Sequence, residues 1–383
     1  MTDLFHLLPL WKELHETGSE YVLATVVMVD GSSYRKPGAR MIVAADGRRA
    51  GTISGGCLEG EVARKAFWHT ENGPTLRRYS TAAEDGEVPF GMGCGGIIHL
   101  LLERNTTADP LLQRLAANFA ERRPSAVATI LDGELTGQRA FWPCEPLVSI
   151  TSPVTARLNQ ITQQSFDGRS SFSQQIQTED QQMATVRAEW ISPRPGLFIF
   201  GAGDDAIPLV RQARLLGWYV ALADGRANLA SRTRFPDADD LFVLSPEAFQ
   251  TGEFPVEIRA TDAAVLMTHS LQQDTQILGH LLRKELAYLG VLGPSRRTSE
   301  ILLTLAANLN VPIAEVDRCI ETWMAQLHGP MGLDLGGDTP AEIALSILAE
   351  IQLNRHRASG ISLREKRRQP GRNDSVHSHL FKG

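Results

Sequence analysis

The chain has 383 residues, of which 43% are hydrophobic and 21% are charged, and its formal net charge is −6. These ordinary values predict a globular protein with enough apolar material for two cores. The acidic balance argues against a role in coating nucleic acid. We find no run of about 18 apolar residues that would span a membrane and no charged-then-apolar leader segment. A cytoplasmic protein with no nucleic-acid or membrane partner is therefore expected.

Residues 1–194 predict a mixed α+β domain. Apolar residues at helical spacing predict an amphipathic helix over residues 1–15, and the β-branched run 21–29 predicts a strand. The Asp46-Gly47 pair predicts the turn of a hairpin. The other predicted elements are strands at 40–45, 50–53, 97–102, 126–131 and 185–191, a helix with the apolar face Leu58, Val62, Ala66 and Phe67, and a helix over 109–123.

Residues 151–185 differ in composition from the rest of this domain. They are rich in Gln, Ser and Thr and poor in aliphatic side chains. Such a composition predicts an exposed, mobile polar insertion. Pro193 and Pro195 follow the last predicted strand and mark a domain boundary, so the first domain is expected to end at residue 194.

Residues 197–224 have the order strand, glycine turn, helix and second strand. Gly201 and Gly203 form the turn, Ala206 takes the third glycine position, and Asp224 ends the second strand. This order is typical of the dinucleotide-binding βαβ unit, in which the acid accepts hydrogen bonds from ribose hydroxyls. The segment therefore predicts that a Rossmann-type domain follows the first domain.

The alternation of strands and helices continues after this unit and predicts a doubly wound parallel sheet. Further strands are expected at 241–244, 263–267 and 288–292, and further helices at 271–286 and 295–308. Thr339, Pro340 and Glu342 predict the capped start of a last helix. The second domain is expected to span residues 195–355. Residues 356–383 are polar and basic with no apolar period, which predicts a disordered tail.

The carboxyl ends of parallel strands are where ligands bind in such sheets. The glycine turn could cradle a phosphate at a helix N-terminus, although Asp204 and Asp205 directly after it would repel a diphosphate. Arg296 and Arg297 open a later helix and are suited to holding phosphate. His269 either donates to a ligand or only caps a strand end. A Rossmann scaffold with an altered or empty site is the competing interpretation.

Three glycine-rich segments are further candidates. The loop 328–338 is rich in residues that permit unusual backbone conformations. Cys57 precedes a predicted helix, whose amide groups would favour a thiolate, and Cys94 lies among glycines. Cys144 and Cys319 fit ordinary core cysteines, which is also the competing interpretation for the first two. The four cysteines contain no C-x-x-C pair, so neither a zinc site nor a disulfide scaffold is expected.

These motifs, in this order, resemble the XdhC/CoxI family of molybdoenzyme maturation factors, and the resemblance covers most of residues 1–355. The matching segments are Gly31-Ser-Ser33, Arg35-Lys-Pro-Gly-Ala-Arg40-Met, Gly51-Thr-Ile-Ser-Gly-Gly-Cys57-Leu-Glu59, Gly93-Cys94-Gly-Gly, Ile199-Phe-Gly201-Ala-Gly203, Asp224-Gly-Arg226, Met267-Thr-His269, Gly290-Val-Leu-Gly293-Pro-Ser-Arg-Arg297-Thr, Gly332-Leu-Asp334 and the stretch from Thr339 to Glu350.

The resemblance implies a chaperone for the molybdenum cofactor, either molybdopterin or its dinucleotide form. Such a protein binds and protects the cofactor, assists its sulfuration by a cysteine desulfurase and delivers it to a xanthine dehydrogenase-type enzyme, with no turnover of its own. A homodimer is expected. The implied cofactor-binding residues are Cys57, Cys94, Gly201, Gly203, Asp224, Arg226, His269, Arg296 and Arg297, and Cys57 is also the candidate contact to molybdenum or sulfur.

Two other functions remain open at this stage. One is an NAD(P)-dependent oxidoreductase in which Asp224 selects NAD, although the first domain offers no evident proton donor and substrate clamp. The other is an interaction scaffold whose Rossmann site is vestigial.

Overall fold

The computed structural model describes residues 2–56, 58–80, 96–143 and 153–366. The chain divides between Arg194 and Pro195 into two compact units.

The described part of the N-terminal unit forms two antiparallel sheets with helices packed on them. Its elements are helix α1 (Thr2–Glu16), strands β1 (Tyr21–Asp30), β2 (Arg40–Ala44) and β3 (Arg49–Gly51), helix α2 (Glu59–His69), strands β4 (Thr75–Ser80) and β5 (Ile97–Arg104), helix α3 (Asn105–Glu121), strands β6 (Ser125–Ile130) and β7 (Arg139–Trp142), helix α4 (Pro153–Asp167), and strands β8 (Phe172–Gln177) and β9 (Met183–Ile191). The strand orders are β3-β2-β1-β5-β4 in the first sheet and β7-β6-β9-β8 in the second.

The first sheet is buried on both faces, and the residues of strand β1 contribute to both cores. Tyr21 and Leu23 pack with apolar residues of α1 and α3 on one face. Val22 and Ala24 point the other way and pack with Val62 and its neighbours on α2. Because side chains alternate along a strand, an unbroken apolar run fits a strand covered on both sides.

The expectation of an exposed insertion over residues 151–185 is wrong. Most of this segment is regular structure: α4 covers the second sheet, and β8 pairs antiparallel with β9. The residues of α4 that are buried recur at helical spacing and are Val154, Leu158, Ile161, Thr162 and Ser165. The polar composition of α4 belongs to its outer face, as expected for an amphipathic helix. The many polar residues therefore hid the helical spacing of the buried ones.

The C-terminal unit is built on a parallel sheet. Its elements are strand β10 (Gly196–Phe200), helix α5 (Ala206–Leu215), strands β11 (Tyr219–Asp224) and β12 (Asp240–Val243), helix α6 (Pro246–Thr251), strand β13 (Ala263–Leu266), helix α7 (Leu271–Leu281), strand β14 (Tyr288–Val291), and helices α8 (Ser295–Asn308), α9 (Val316–Met324), α10 (Pro340–His356) and α11 (Leu363–Lys366), with short 3-10 turns at Leu282–Lys284 and Ile313–Glu315.

The strand order β12-β11-β10-β13-β14, all parallel, confirms the predicted Rossmann-type fold. Helices α5 and α10 pack on one face of the sheet, with Leu209 and Ile347 in that core. Helices α7 and α8 cover the other face through residues such as Ile277 and Ile301.

The predicted start of the last long helix is also confirmed. The Thr339 side chain accepts from the Glu342 amide and the Glu342 side chain accepts from the Thr339 amide, which together make a capping box. The helix ends at His356, and a further turn follows at α11. The rest of the tail predicted over 356–383 lies outside the described residues.

Candidate functional site

The carboxyl edge of the parallel sheet brings together five of the predicted ligand residues: Gly201, Gly203, Asp224, Arg226 and His269. Gly201 follows β10 with φ +119°, and a Cβ there would lie 2.2 Å from the main-chain oxygen of Met267 at the end of β13. A side chain at this position would therefore collide with the neighbouring strand, and the glycine is required by the fold itself.

Asp224 ends β11 and is 2% exposed. Its Oδ1 accepts from the Arg226 amide (2.8 Å) and from Arg226 Nε (2.9 Å), and its Oδ2 accepts from the Ala202 amide (2.7 Å) and from Arg226 Nη2 (2.8 Å). Burial acts to raise the pKa of Asp224, but these hydrogen bonds outweigh burial and hold that pKa below its usual range. A carboxylate offers about four lone-pair sites, so no acceptor is left for a ribose hydroxyl.

The N-terminus of α5 carries a carboxylate from its own chain. Asp205 Oδ1 lies 2.4 Å from where a Cβ of Gly203 would be, and this oxygen is buried with no hydrogen-bond partner among the described residues. Asp205 Oδ2 pairs with His269 Nε2 at 3.1 Å. The His269 side chain is 63% exposed, and its backbone has φ +60°. A negative charge thus occupies the glycine turn where a phosphate would bind.

The other cations at this edge are likewise paired. Arg234 donates to Asp204 (2.5 Å) and to the main-chain oxygen of Ala202 (2.5 Å). Arg297 donates to Asp274 (2.8 Å), a buried acid. Arg296 pairs with a glutamate one turn along α8, and its side chain is 89% exposed. Of the two predicted arginines of α8, Arg297 is therefore fixed by the fold and Arg296 faces solvent.

The glycine-rich loop 328–338 is anchored by Glu350 of α10. That carboxylate accepts from the Tyr288 hydroxyl (2.6 Å), the Gly332 amide (2.7 Å) and His328 Nδ1 (3.0 Å). Burial acts to raise the pKa of Glu350, and the hydrogen bonds reverse this and lower it. The protein's own contacts therefore account for the shape of this loop where it begins.

In the N-terminal unit, Glu59 fills the glycine loop that precedes α2. Its Oε1 accepts from Thr52 Oγ1 (2.6 Å) and from the amides of residues 53, 54 and 55 (3.1, 2.9 and 3.1 Å). Its Oε2 accepts from Ser54 Oγ (2.5 Å) and the Gly56 amide (2.9 Å). Burial acts to raise the pKa of Glu59, but the hydrogen bonds of Ser54 and Thr52 and the loop amides lower it to about 2.

The amides of this loop next to position 57 already have acceptors within the loop. The Gly56 amide donates to Glu59, and the Leu58 amide donates to Ser54 Oγ at 2.8 Å. The amides on both sides of position 57 are therefore already satisfied by groups of the loop.

Cys57, Cys94 and Cys144 themselves lie outside the described residues. Cys319 is described as a free, partly buried cysteine. Across the described ranges there is no group of three or more His, Cys, Asp or Glu side chains arranged to hold a metal ion. None of the helices in those ranges is long and apolar enough to cross a membrane.

Sequence reasoning missed several residues that shape these sites, namely Glu59, Arg234, Asp274 and Glu350. Each is an acid or an arginine that acts through a partner distant in the sequence or through loop amides. Glu59 carried a local signal, since it comes three residues after a Gly-Gly pair. The contact between Arg234 and Asp204 joins residues 30 positions apart and has no sequence signal.

Two family models match the chain. The model of the XdhC Rossmann domain matches residues 197–351, and the model of the XdhC and CoxI family matches residues 14–80. These segments contain the carboxyl edge of the parallel sheet and the loop that Glu59 fills.

Three similar proteins cover most of the chain. It is 32% identical over 362 residues to a probable xanthine dehydrogenase subunit of Bacillus subtilis (strain 168), covering 90% of this chain and 96% of that protein. It is 25% identical over 347 residues to the molybdenum cofactor insertion chaperone PaoD of Escherichia coli (strain K12), covering 88% and 83%. The crystal structure of a xanthine dehydrogenase from Bacillus halodurans superimposes with a TM-score of 0.70 and 31% identity, covering 93% and 98%.

Proposed function

The chain belongs to the XdhC and CoxI family, and from this we propose that it is an accessory protein that binds the molybdenum cofactor and helps insert it into a xanthine dehydrogenase-type enzyme. The likeness to a protein named as a molybdenum cofactor insertion chaperone supports this role. The protein acts in this proposal as a carrier, and the cofactor is its cargo.

The observation that carries the proposal is the saturated carboxylate of Asp224. In NAD-dependent dehydrogenases an acid at this position binds the ribose, but all four acceptor sites of Asp224 are taken by Ala202 and Arg226. The fold of a dinucleotide-binding domain is thus combined with a closed ribose site. This favours carriage of another phosphate-bearing ligand over NAD-dependent redox catalysis.

The residues at this edge fit a phosphate better than a ribose. The Arg226 side chain is half exposed. Of the five N–H donors of a guanidinium, its contact with Asp224 uses two, and Asp224 holds it in one orientation. Such a held arginine binds phosphate with little ordering cost. Asp205 opposes an anion at the glycine turn, so we place the cargo's phosphate nearer Arg226 than Gly203.

Finer parts of the proposal rest on the family resemblance. They are assistance to sulfuration with a cysteine desulfurase and cargo contact by Cys57 and Cys94. The nucleotide form of the cargo belongs to the same group of proposals. A homodimeric state is a separate proposal, because the binding surface of a two-domain carrier often needs a second subunit to close it.

The test compares ligands and variants by equilibrium binding and thermal shift, because a ligand of the native state raises the melting temperature by mass action. Isolated molybdenum cofactor should stabilise the full-length protein, and NAD+ and NADP+ should not. Arg226→Ala should weaken cofactor binding about tenfold, the loss expected for a charge-assisted hydrogen bond. It should also reduce activation of a cofactor-free xanthine dehydrogenase-type enzyme.

The matched control is Arg211→Ala, which removes an exposed arginine of α5 whose distance to Asp237 is 3.9 Å. This variant should bind and activate as the wild type does. Stabilisation by NAD+ but not by the cofactor would reject the proposal in favour of an oxidoreductase. Equal loss in both variants would reject the placement at Arg226.

A further inference from the structure

The two sheets of the N-terminal unit place two rows of mostly polar side chains against each other. In the first sheet Thr25 on β1 is paired with Arg40 on β2 and Leu101 on β5. In the second sheet Thr129 on β6 is paired with Arg139 on β7 and Arg187 on β9. Directly paired residues of neighbouring strands share one face, and these six residues line one cavity between the sheets.

Positive charge exceeds negative charge in this cluster. Arg40 forms a two-pronged pair with Glu189, at 3.1 and 2.5 Å. Arg139 pairs with Glu103, which is fully buried. Arg187 is the third arginine. It is partly buried, which lowers its pKa, and its Nη1 donates to Ser173 Oγ at 3.4 Å. Three arginines against two glutamates leave an excess of one positive charge at the edge of a buried ion-pair cluster, and such an excess favours a bound anion.

The unpartnered polar atoms of the cavity are mainly donors. Arg40 Nε, Arg139 Nε and Thr25 Oγ1 are buried and have no hydrogen-bond partner among the described residues, and all three side chains line the cavity. Arg40 is 4% exposed, and the Arg139 side chain is 6% exposed. Both oxygens of Glu189, the acid that lines the cavity, already accept from Arg40. Glu103 Oε1 is also unpartnered, but Glu103 does not line the cavity.

The size of the cavity limits what it can hold. Its volume is about 20 Å³, which exceeds the roughly 10–15 Å³ that one water-sized species needs. A water molecule there could accept from the guanidinium N–H groups and donate to the Thr25 hydroxyl or to Glu189, so hydrogen bonding alone does not distinguish water from an anion. A small anion accepts from all three unpartnered groups and also offsets the excess positive charge, which water cannot do.

We propose that the N-terminal unit binds one small inorganic anion of the halide class between its two sheets, held by Arg40, Arg139 and the hydroxyl of Thr25. The bound anion joins the sheets by satisfying donors from both. Its occupancy stabilises the folded unit, and the proposal is independent of the cargo discussed above.

The test measures the melting temperature of the full-length protein at constant ionic strength while sodium chloride replaces sodium gluconate. A saturable rise with chloride and bromide is expected, because a ligand that binds only the native state stabilises by mass action. Thr25→Val keeps the shape of the side chain and removes one donor, so it should raise the halide midpoint about tenfold. The matched control is Thr304→Val, whose hydroxyl donates within α8, and it should respond as the wild type does.

Crystallography of the wild-type protein tests the proposal directly, even if a variant folds poorly. Crystals grown in bromide should show an anomalous peak within hydrogen-bond distance of Arg40 Nε and Thr25 Oγ1. Peaks at surface sites alone, an adventitious ion only, would overturn the proposal. So would the absence of any halide-specific rise in melting temperature, or an unchanged halide midpoint in a folded Thr25→Val protein.

Discussion

Two glycine turns in this protein look alike in sequence and differ in the hydrogen-bonding groups that they leave available to a ligand. The Ser54–Gly56 loop and the Gly201–Gly203 turn each lead into a helix, and each holds a carboxylate of its own chain. Glu59 in the first accepts six hydrogen bonds. Asp205 in the second has one oxygen without a partner among the described residues and the other on the exposed His269.

The difference lies in the number of donors that each acid satisfies. Glu59 neutralises a nest of amides that would otherwise attract an external anion, so these amides are not available to an anionic ligand. In the Gly201–Gly203 turn, Asp205 leaves part of its hydrogen-bonding capacity unused, and its paired oxygen contacts the exposed side chain of His269. A glycine turn before a helix therefore indicates an anion site only where the chain has not already supplied the anion.

The largest expected effect is on stability. Glu59→Ala removes the acceptor of three loop amides and two hydroxyls, and it leaves the Gly55 amide with only Thr52 Oγ1. We expect the free energy of unfolding to fall by about 3 kcal/mol, as for other losses of a buried hydrogen-bond network. Glu61→Ala is the matched control on the same turn of α2, because Glu61 pairs with the exposed side chains of Arg64 and Lys65. Urea denaturation measures both variants, and similar losses in the two would contradict the stabilising role of the hydrogen bonds to Glu59.

The same acid predicts a specific dependence on pH. The pKa of Glu59 is lowered from 4.5 to about 2 in the folded protein. Its contribution is therefore complete above pH 4.5 and is lost as the pH falls towards 2, amounting to about 3 kcal/mol in all. The difference in unfolding free energy between wild type and Glu59→Gln should shrink over this range. A difference that stays constant from pH 5 to pH 2.5 would show that Glu59 is not ionised in its loop.

For the Gly201–Gly203 turn we expect a smaller effect, on ligand binding rather than on stability. Asp205→Asn removes the negative charge from the glycine turn and should tighten binding of a phosphate-bearing pterin about fivefold, the effect of roughly 1 kcal/mol of repulsion. Stability should change by less than about 1 kcal/mol, as for a partly exposed group. Asp237→Asn, an exposed acid elsewhere in the unit, is the control for net charge. Equal tightening in both variants would assign the effect to overall charge.

The smallest expected effect concerns Cys57. Because Glu59 satisfies the neighbouring amide and adds negative charge, the Cys57 thiol should label with iodoacetamide at an ordinary rate in the wild type. Glu59→Gln should raise that rate about threefold by removing the charge. Cys319, in the other unit, is the internal reference and should not change. A wild-type Cys57 that already labels much faster than Cys319 would restore the interpretation in which the helix start activates it.

Gly203 shows why a test designed from the motif alone would mislead. The motif predicts that a valine there blocks the ligand. In the structure the first atom that a Cβ would meet is Asp205 Oδ1, and His269 Nε2 lies 3.7 Å away. Loss of binding in Gly203→Val would therefore report a displaced Asp205 and His269 as readily as a blocked ligand.

The sequence by itself determined the elements whose signal is local. Alternating strands and helices predicted the parallel sheet, and the capping box at Thr339 was correct because cap and acceptor are three residues apart. The prediction for segment 151–185 was wrong although its signal is local, because the many polar residues mask the helical spacing of Val154, Leu158 and Ile161.

Only the tertiary structure decided which of the candidate groups are available. The last acceptor site of Asp224 is taken by Ala202, 22 residues away, and the arginines between the two sheets come together only once β2, β7 and β9 have paired. Charges and hydrogen-bond donors act over a few ångströms in space. Their partners are therefore set by strand order and register, which no local pattern in the sequence encodes.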